Sequence, residues 1–244
     1  MSDTDARATR LALELVPGTD ALALPDGFHD RAEAYVRLLL TANARLNLTR
    51  VVEPEAVARL HLLDALSALP LLDAMAPRRA LDLGSGGGVP GIVLALARPG
   101  IAWTLVDSER RKADALRSFV DALGLAHVEV VAERAETLGR DPAHRASFDV
   151  VGARACAALP VLVEYALPLL RTGGSLLAWK GAIDAEEIGA GRAAASALGG
   201  SAPVTHPAGF ATLGDHRFVV VRKEHATPDE YPRRPGQARR RPLG

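Results

Sequence analysis

One stretch of eleven residues constrains the fold of this 244-residue chain more than any other: LDLGSGGGVPG, from Leu81 to Gly91. A short apolar strand leads directly into a glycine-rich turn, and Pro90 then suits the first turn of a helix. Glycine adopts left-handed backbone angles at little cost and has no side chain, so a ligand can approach the backbone closely. The stretch therefore predicts a strand–turn–helix unit whose turn binds a ligand rather than a purely structural turn.

The chain beyond Arg78 alternates short apolar runs with amphipathic segments. The predicted strands are Arg79–Leu83, Ala102–Val106, Val128–Ala132, Phe148–Arg154, Ser175–Trp179 and Phe218–Arg222. The predicted helices are Val89–Arg98, Glu109–Leu123, Leu159–Leu170 and Ala185–Leu198, the last with a capping box from Asp184 to Glu187. Alternation of this kind predicts a doubly wound, mostly parallel sheet.

Two further segments flank this core. Residues 1–77 form a small N-terminal helical cap, with apolar residues at helical spacing in Phe28–Leu48 and Ala56–Leu72. Residues 226–244 form a Pro/Arg-rich tail in which four prolines and two glycines argue against regular structure. The formal charge is −4 for residues 1–77, +1 for residues 78–225 and +3 for the tail, which sums to zero.

Composition excludes several classes of protein. Apolar residues are 48% and charged residues 24% of the chain, which is ordinary for a globular domain and unlike a disordered chain. Cys156 is the single cysteine, so neither an internal disulfide nor a cysteine metal cluster is possible, and no metal site is predicted. The start lacks an apolar signal segment and no run reaches the length of a membrane span. We therefore expect a cytoplasmic protein that acts as a monomer.

The glycine turn admits two cofactor interpretations. Gly86, Gly88 and Gly91 satisfy G-x-G-x-x-G, the dinucleotide fingerprint, between a strand and a helix. Asp82 with the glycines that follow it also gives D-x-G-x-G-x-G, the pattern of S-adenosylmethionine-dependent methyltransferases. Asp107, which ends the second strand, can accept hydrogen bonds from the ribose of either cofactor. The Asp82 carboxylate would repel a pyrophosphate but suits a cationic methionine end, so S-adenosylmethionine is favoured and a nicotinamide-dependent oxidoreductase stays the alternative.

The chain closely resembles one family, the RsmG (GidB) ribosomal RNA guanine-N7 methyltransferases. The matching segments run almost end to end, and their order and spacing together carry the resemblance. In chain order they are Asn47–Thr49, His61–Asp64, Asp82–Gly91, Leu105–Ser108, Arg110–Lys112, Glu133–Glu136, Phe148–Asp149, Ala153–Ala155, Trp179–Gly181, His216–Arg217 and Tyr231–Gly236. Departures are small: Ala65 stands where the family usually has Ser, and Ser85 and Gly87 are variants within the glycine turn.

The resemblance implies a Rossmann-like class I S-adenosylmethionine-dependent methyltransferase fold with a small N-terminal helical cap. It also implies methylation of guanine 527 (standard rRNA numbering) in 16S rRNA. The glycine-turn pattern and the resemblance together give the predicted cofactor-binding residues. These are Asp82, Gly84, Gly86, Gly88, Val89, Asp107, Ser108, Glu109, Ala135, Glu136 and Arg154.

The expected chemistry needs no general base, because guanine N7 carries an in-plane lone pair and no proton. The enzyme has only to position N7, methyl and sulfur in line within a dry pocket. Arg154 and Lys180 follow two strands at the edge where open α/β sheets bind ligands, and either can contact cofactor or RNA. His61 and Asp64 stand three residues apart on a helix and favour a packing or capping role over a metal site.

Two basic groups are candidates for phosphate contacts with 16S rRNA or the small ribosomal subunit. The first is Arg110, Arg111 and Lys112 at the start of a helix, and the second is Arg233, Arg234, Arg239, Arg240 and Arg241 in the tail. Aromatic residues are only 4% of the chain, so extensive base stacking is not expected. A non-catalytic ribosome-assembly protein with the same fold is the remaining alternative.

Overall fold

A computed structural model describes residues 3–244 of the chain as a seven-stranded sheet with helices on both faces. Residues 1 and 2 of the predicted cap lie outside the described residues. The strands are β1 (Arg79–Leu83), β2 (Ala102–Val106), β3 (Val128–Val131), β4 (Phe148–Arg154), β5 (Leu170–Lys180), β6 (Val204–Pro207) and β7 (Arg217–Arg222). Their order across the sheet is β3-β2-β1-β4-β5-β7-β6.

Eleven α-helical segments are found in residues 3–244. They are α1 (Asp3–Glu14), α2 (Phe28–Leu46), α3 (Pro54–Val57), α4 (Asp64–Leu66), α5 (Leu69–Met75), α6 (Gly91–Ala97), α7 (Arg110–Ala122), α8 (Ala135–Leu138), α9 (Leu159–Ala166), α10 (Ala185–Ala197) and α11 (Gln237–Arg240). Short 3₁₀ segments occupy Thr19–Leu22 and Ala211–Leu213, and a π-helical segment occupies Ala58–Leu63.

The predicted doubly wound, mostly parallel sheet is confirmed. Strands β1 to β5 pair in parallel, whereas β7 runs antiparallel to both β5 and β6. The order of the strands reverses between β1 and β4, so the loops after these two strands open a crevice at the carboxyl edge of the sheet. Ligands of open α/β sheets bind in such a crevice.

Two predicted boundaries in the second half of the core are wrong. The helix predicted to reach Leu170 ends at Ala166, because Pro168 has no N–H with which to continue the helical hydrogen bonds. Strand β5 therefore starts at Leu170 rather than Ser175, with an irregular register opposite Phe148. Strand β6 was not predicted, because Val204–Pro207 lies at the sheet edge, is largely exposed and has no apolar run.

The cap departs from its predicted shape in the second helix. The segment predicted as one helix over Ala56–Leu72 is divided, with the π-helical segment between α3 and α4 and a break before α5. π-Helical turns often occur at functional sites because they reorient side chains within a helix. Here His61 and Asp64 are both buried and lie against the sheet. One continuous apolar core joins the cap to the sheet, from Tyr35 on α2 to Leu105 on β2.

The tail is more ordered than predicted. Residues 226–244 contain α11 and pack along α8 and α9, with Ala238 fully buried. Lys223, just before the tail, is also buried and its Nζ donates to the carbonyls of Leu167 and Leu170, both at 2.7 Å. Burial lowers the pKa of Lys223 to about 8. No helix among the described residues combines the length and apolarity needed to cross a membrane.

Candidate active site

The glycine turn after β1 forms the floor of the crevice. Gly84, Gly86 and Gly88 have φ values of 74°, 55° and 98°, which L side chains rarely adopt. The amides of Gly84 and Ser85 both donate to the carbonyl of Val106, at 2.8 and 2.9 Å, which ties the turn to the end of β2. A ligand can therefore approach a fixed backbone surface here.

Asp107 connects this turn to the next loop. One carboxylate oxygen accepts from the amide of Gly86 at 2.9 Å, and the other accepts from the amide of Glu109 at 2.8 Å. The side chain is nearly buried. Asp107 therefore fixes the relative position of the loops after β1 and β2.

Three cavities follow one another along the carboxyl edge of the sheet. The tail-side cavity, of about 180 Å³, lies between the loops after β1, β2 and β3. Its lining includes Gly84, Ser108, Ala135, Glu136, Cys156, Tyr165 and Arg239. It brings together predicted cofactor residues from three separate loops.

The central cavity, of about 210 Å³, lies over the glycine turn and shares Gly84 with the tail-side cavity. Its lining includes Thr49, His61, Ser85, Gly86, Gly87, Val89, Arg154 and Ala155. The cap-side cavity, of about 470 Å³, adjoins it and shares His61, Arg154 and Ala155. Its lining also includes Asp64, Trp179, Lys180, Gly181 and His216. The three cavities thus form one crevice.

Arg154 lies where the central and cap-side cavities meet. Its Nη1 donates to the carbonyl of Leu60 at 2.7 Å and to Asp64 Oδ2 at 3.0 Å. Both bonds use the same nitrogen, which leaves Nη2 and Nε available as donors to a ligand. The guanidinium is thus held by the cap while it lines both cavities.

Asp64 receives contacts from the ends of two strands and from the loop before β7, and it is only 4% exposed. Besides Arg154 at the end of β4, it accepts from His216 Nδ1 at 2.9 Å, and its carbonyl accepts from Trp179 Nε1 at 3.0 Å. This arrangement agrees with the predicted packing role of Asp64. Among residues 3–244, no group of three or more His, Cys, Asp or Glu side chains has the geometry to hold a metal ion.

His61 lies between the same two cavities. Its Nε2 is 2.8 Å from Thr49 Oγ1, which joins two of the sequence segments that carry the family resemblance. Burial and, to a lesser extent, the charge of Arg154 lower the pKa of His61 to about 4. His61 is therefore a neutral hydrogen-bonding group near neutral pH.

Lys180 lies at the end of β5 on the wall of the cap-side cavity. Its Nζ donates to Glu187 Oε1 at 2.6 Å and to the carbonyl of Ala157 at 3.0 Å. The same Glu187 oxygen accepts from the amide of Leu159 at 2.7 Å. Asp184 caps α10 as predicted, by accepting from the amide of Glu187, but the Glu187 side chain serves Lys180 instead of completing the capping box.

Four predicted cofactor residues line none of the three cavities: Asp82, Gly88, Asp107 and Glu109. Asp82 is 1% exposed and supports the turn from below: Oδ2 accepts from the amide of Gly91 at 3.1 Å, whereas Oδ1 has no partner among the described residues. Burial raises the pKa of Asp82 to about 6. Gly88 faces Tyr35 of the cap, and Glu109 lies at the surface in an ion pair with Lys112.

The two predicted basic groups differ in their surroundings. Arg110 and Arg111 are exposed at the start of α7, while Lys112 is partly covered. In the tail, Arg234, Arg239, Arg240 and Arg241 are exposed, but Arg233 pairs with the fully buried Glu164. Arg239 donates to the carbonyl of Cys156 at 3.0 Å and lines the tail-side cavity. The charge of Arg233 is thus already paired within the chain, and the RNA contacts of the five tail arginines stay a prediction.

Three lining residues, Cys156, Tyr165 and His216, were not singled out as site residues by the sequence. Tyr165 carried one signal, because Glu164 and Tyr165 interrupt an otherwise apolar run in a helix that packs on the sheet. His216 carried a signal only as part of the family-matching segment His216–Arg217, and Cys156 carried none, since their positions depend on long-range packing.

The family model described as GidB, rRNA small subunit methyltransferase G, matches residues 29–208. A protein named ribosomal RNA small subunit methyltransferase G from Deinococcus deserti is 43% identical over 98% of this chain and 94% of its own. The protein of the same name from Chloroflexus aggregans is 41% identical over 94% of this chain and 97% of its own.

Solved structures support the fold. An O-methyltransferase from Bacillus cereus, in complex with SAH, is 20% identical and aligns with a TM-score of 0.53 over 78% of this chain and 91% of its own. The O-methyltransferase TomG from Streptomyces achromogenes, in complex with SAM, is 22% identical with a TM-score of 0.54 over 78% and 90%. The Rossmann-like methyltransferase fold predicted from the sequence is thereby confirmed.

Proposed function

The chain belongs to the GidB family of rRNA small subunit methyltransferases G, and from this membership we propose that it transfers the methyl group of S-adenosylmethionine to N7 of guanine 527 of 16S rRNA. Family membership decides against the nicotinamide-dependent alternative. The proposed enzyme is a cytoplasmic monomer without a metal ion, and its substrate is 16S rRNA or the small ribosomal subunit.

The continuity of the crevice is the observation that best supports the proposal. The tail-side and central cavities share Gly84, and the central and cap-side cavities share Arg154. An extended cofactor can therefore lie across the first two cavities with its methyl group next to the third. The cap-side cavity, of about 470 Å³, is large enough to hold one purine. An RNA methyltransferase must unstack its target base before that base can enter such a cavity.

The residues present fit the proposed cofactor. Ser108, Ala135 and Glu136 surround the tail-side cavity, where a carboxylate and backbone groups suit the adenosine. Gly86 and Val89 line the central cavity, where the methionine end would lie against the turn. A Cβ at Gly86 would find only the Gly84 carbonyl within 4 Å, at 3.9 Å, so the turn presents open backbone to a ligand. The unused donors of Arg154 suit the methionine carboxylate.

The chemistry requires positioning rather than proton removal. When bound, S-adenosylmethionine supplies an electrophilic methyl group on a sulfonium, and the in-plane lone pair of guanine N7 attacks it in line. Arg154 and Lys180 are anchored by Asp64 and Glu187, so their orientation is set before the substrate arrives. Lys180 suits the guanine O6 or a phosphate, whereas a bidentate Arg on O6 and N7 would block the nucleophile.

Exposed basic side chains would bind the surrounding rRNA through phosphates. Arg110, Arg111 and Lys112 stand next to the loop after β2, and Arg234, Arg240 and Arg241 stand on the outer surface of the tail. The two groups flank the tail-side end of the crevice. They would provide affinity without base specificity, which is left to the cap-side cavity.

Transfer of a tritiated methyl group tests the function directly. The substrates are deproteinised 16S rRNA and small subunits, both from a strain that lacks this methyltransferase, and we expect label on at least one of them. The labelled base is then identified by chain cleavage specific for N7-methylguanine. Lys180→Ala, with Arg222→Ala as an exposed control outside the crevice, tests whether activity depends on the cap-side cavity.

Two outcomes would contradict the proposal. Absence of transfer to both substrates, by a folded protein that binds S-adenosylhomocysteine, would favour the non-catalytic assembly protein. Label on an atom other than N7, or on a different guanine, would leave the methyltransferase activity standing and overturn the assigned position.

A further inference from the structure

The tail is fastened to the core at successive points. The amide and Nε of Arg233 both donate to Glu164 Oε1, at 3.0 and 2.9 Å, and Glu164 is fully buried on α9. Three residues later, the amide of Gly236 donates to Glu136 Oε1 at 2.7 Å. Glu136 itself lines the tail-side cavity. The tail is therefore attached to the wall of that cavity by a hydrogen bond to one of its lining residues.

These attachments place Arg239 over the tail-side cavity. Its Nη2 donates to the carbonyl of Cys156 at 3.0 Å, and both residues line this cavity together with Ser108 and Ala135. Tyr165 lies nearby, and burial raises the pKa of its hydroxyl while the charge of Arg239 opposes that rise. Arg240, on the same short helix, is exposed and lines none of the three cavities.

A guanidinium in this position suits a nucleobase. The group is planar and weakly hydrated, and it stacks favourably on aromatic faces. The bond to Cys156 uses Nη2, so Nη1 and Nε stay available as donors to ring nitrogens. The tail-side cavity is the one that the proposed function assigns to the adenosine.

We propose that Arg239 binds the adenine of the cofactor, so that the C-terminal tail is part of the cofactor site and not only an RNA-binding extension. The inference rests on the proposed function, because it takes the tail-side cavity as the adenosine site. It differs from the sequence-based expectation, which assigned Arg239 to RNA. It also separates the tail arginines by role: Arg234, Arg239, Arg240 and Arg241 are all exposed, but only Arg239 among them lines the tail-side cavity and donates to Cys156.

Calorimetry on the full chain tests the proposal, with S-adenosylhomocysteine as the ligand. We expect Arg239→Ala to raise the Kd roughly tenfold, about the effect of one desolvated cation–π contact. The Kd of Arg239→Lys should lie between those of the wild type and Arg239→Ala. A lysine ammonium keeps the positive charge but lacks the planar group that stacks on a base. The matched control, Arg240→Ala, should stay within about twofold of the wild type.

Two further measurements separate the possible failures. The affinity for adenosine alone should fall by the same factor as the affinity for S-adenosylhomocysteine in Arg239→Ala, because the contact is to the adenine. Thermal unfolding without ligand shows whether the variant keeps its fold. A wild type that fails to bind S-adenosylhomocysteine would contradict the proposed function itself.

If the wild type binds S-adenosylhomocysteine and Arg239→Ala binds it with the same Kd, the proposed role of Arg239 is wrong. The proposed function of the protein would not be affected by that result. Equal losses in Arg239→Ala and Arg240→Ala would also overturn the role of Arg239, since they would indicate a general effect of tail charge. A reduced salt dependence of rRNA binding in Arg239→Ala, with unchanged cofactor affinity, would return Arg239 to the RNA-binding group.

Discussion

The cap and the tail close opposite ends of the crevice by different means. On the cap side, Asp64 holds Arg154 and His216, and these side chains themselves line the cavity. On the tail side, the buried Glu164 and the wall residue Glu136 hold a segment that would otherwise have few apolar anchors. In both cases an acidic residue with little exposure determines where basic groups lie.

The comparison teaches how one sheet edge serves two ligands. The floor between the two ends consists of backbone and glycine. It lets a ligand approach closely but does not distinguish one ligand from another. Selectivity must come from the walls, and each wall is attached separately. Changes on the tail side should therefore affect the cofactor or the fold, whereas changes on the cap side should affect methyl transfer to RNA.

The largest expected effect is on stability at the tail side. Arg233→Ala leaves Glu164 buried without its cation, and breaking such a pair typically costs about 3 kcal/mol or more of unfolding free energy. Arg234→Ala, at the neighbouring exposed position, should change it by less than about 0.5 kcal/mol. Urea unfolding of both variants measures the difference, and equal stabilities would show that the tail is not anchored by this pair.

This pair also changes how a truncation should be interpreted. Removal of residues 233–244 tests RNA binding only if the fold is unaffected, and the truncated chain lacks the Arg233 partner of Glu164. Point substitutions at exposed arginines are the better test of the RNA-binding role.

The next effect is on catalysis at the cap side. Asp64→Asn removes the charge that orients Arg154 and His216, and a small misplacement of such groups can reduce the rate about 100-fold. Affinity for S-adenosylhomocysteine should fall by a smaller factor, about tenfold, because the Arg154 that Asp64 orients also lines the central cavity assigned to the methionine end. Kinetics of methyl transfer and calorimetry give the two values. If Asp64→Asn reduces cofactor affinity more than it reduces the rate of methyl transfer, the cap side and the tail side do not have the separate roles described above.

A smaller effect is expected at the floor. Asp107→Ala removes the acceptor for the amides of Gly86 and Glu109, so the two loops lose their fixed spacing. Loss of hydrogen bonds to one charged group corresponds to about 2 kcal/mol, or roughly 30-fold in Kd for S-adenosylhomocysteine. Asp114→Ala, an exposed acidic residue on α7, is the control. Unchanged cofactor binding would show that the link between the loops is dispensable.

The exposed tail arginines should change only the salt dependence of RNA binding. If Arg234, Arg240 and Arg241 each neutralise one phosphate, the triple alanine variant should reduce the slope of log K against log salt by about 2. Arg222→Ala, exposed at the end of β7, should leave the slope unchanged. An unaltered slope in the triple variant would assign the RNA contacts to Arg110 and Arg111 instead.

The smallest effect concerns pH. The pKa of His61 is lowered to about 4, so the unfolded state binds more protons below pH 6.5 and stability is lost as pH falls from 6.5 through 4. The pKa of Asp82 is raised to about 6, so the native state binds more protons and stability falls as pH rises from 4 to 6. The two trends oppose each other, and their net effect should stay below about 1 kcal/mol.

Substitution separates these trends. His61→Gln should make the unfolding free energy decrease with pH between 4 and 6 relative to the wild type, and Asp82→Asn should make it increase. Urea unfolding at pH 4.5, 5.5 and 6.5 provides the comparison. Parallel pH profiles for the wild type and both variants would contradict the assignment of these two pKa shifts.

The sheet was largely predictable because its signals are local. Apolar runs and the glycine turn placed β1, β2 and β4 at their observed bounds, since parallel strands buried on both faces are continuous in hydrophobicity. The loops that carry Asp107 and Glu136 could be placed as well, because the ends of the preceding strands were predicted. These parts of the crevice depend on neighbours within a few residues in sequence.

The walls of the crevice could not be predicted from the sequence, because the residues that hold them in place are far apart in the chain. Proline and arginine in the tail indicate an irregular segment, but partners far away in sequence fix it, such as Glu164 for Arg233, 69 residues away. The π-helical segment in the cap keeps the apolar spacing of an ordinary helix, so periodicity alone could not reveal it. Likewise, His216 meets Asp64 across 152 residues.

The scarcity of lysine gives the molecule three built-in chemical reporters. Lys112 lies near the surface, Lys180 lines the cap-side cavity, and Lys223 is buried behind β7 with two carbonyl partners. An amine-reactive label followed by mass spectrometry would therefore modify the first freely, the second only while the crevice is empty, and the third only after global opening of the fold. One labelling time course on the unmodified protein would report surface access, occupancy and unfolding at the same time.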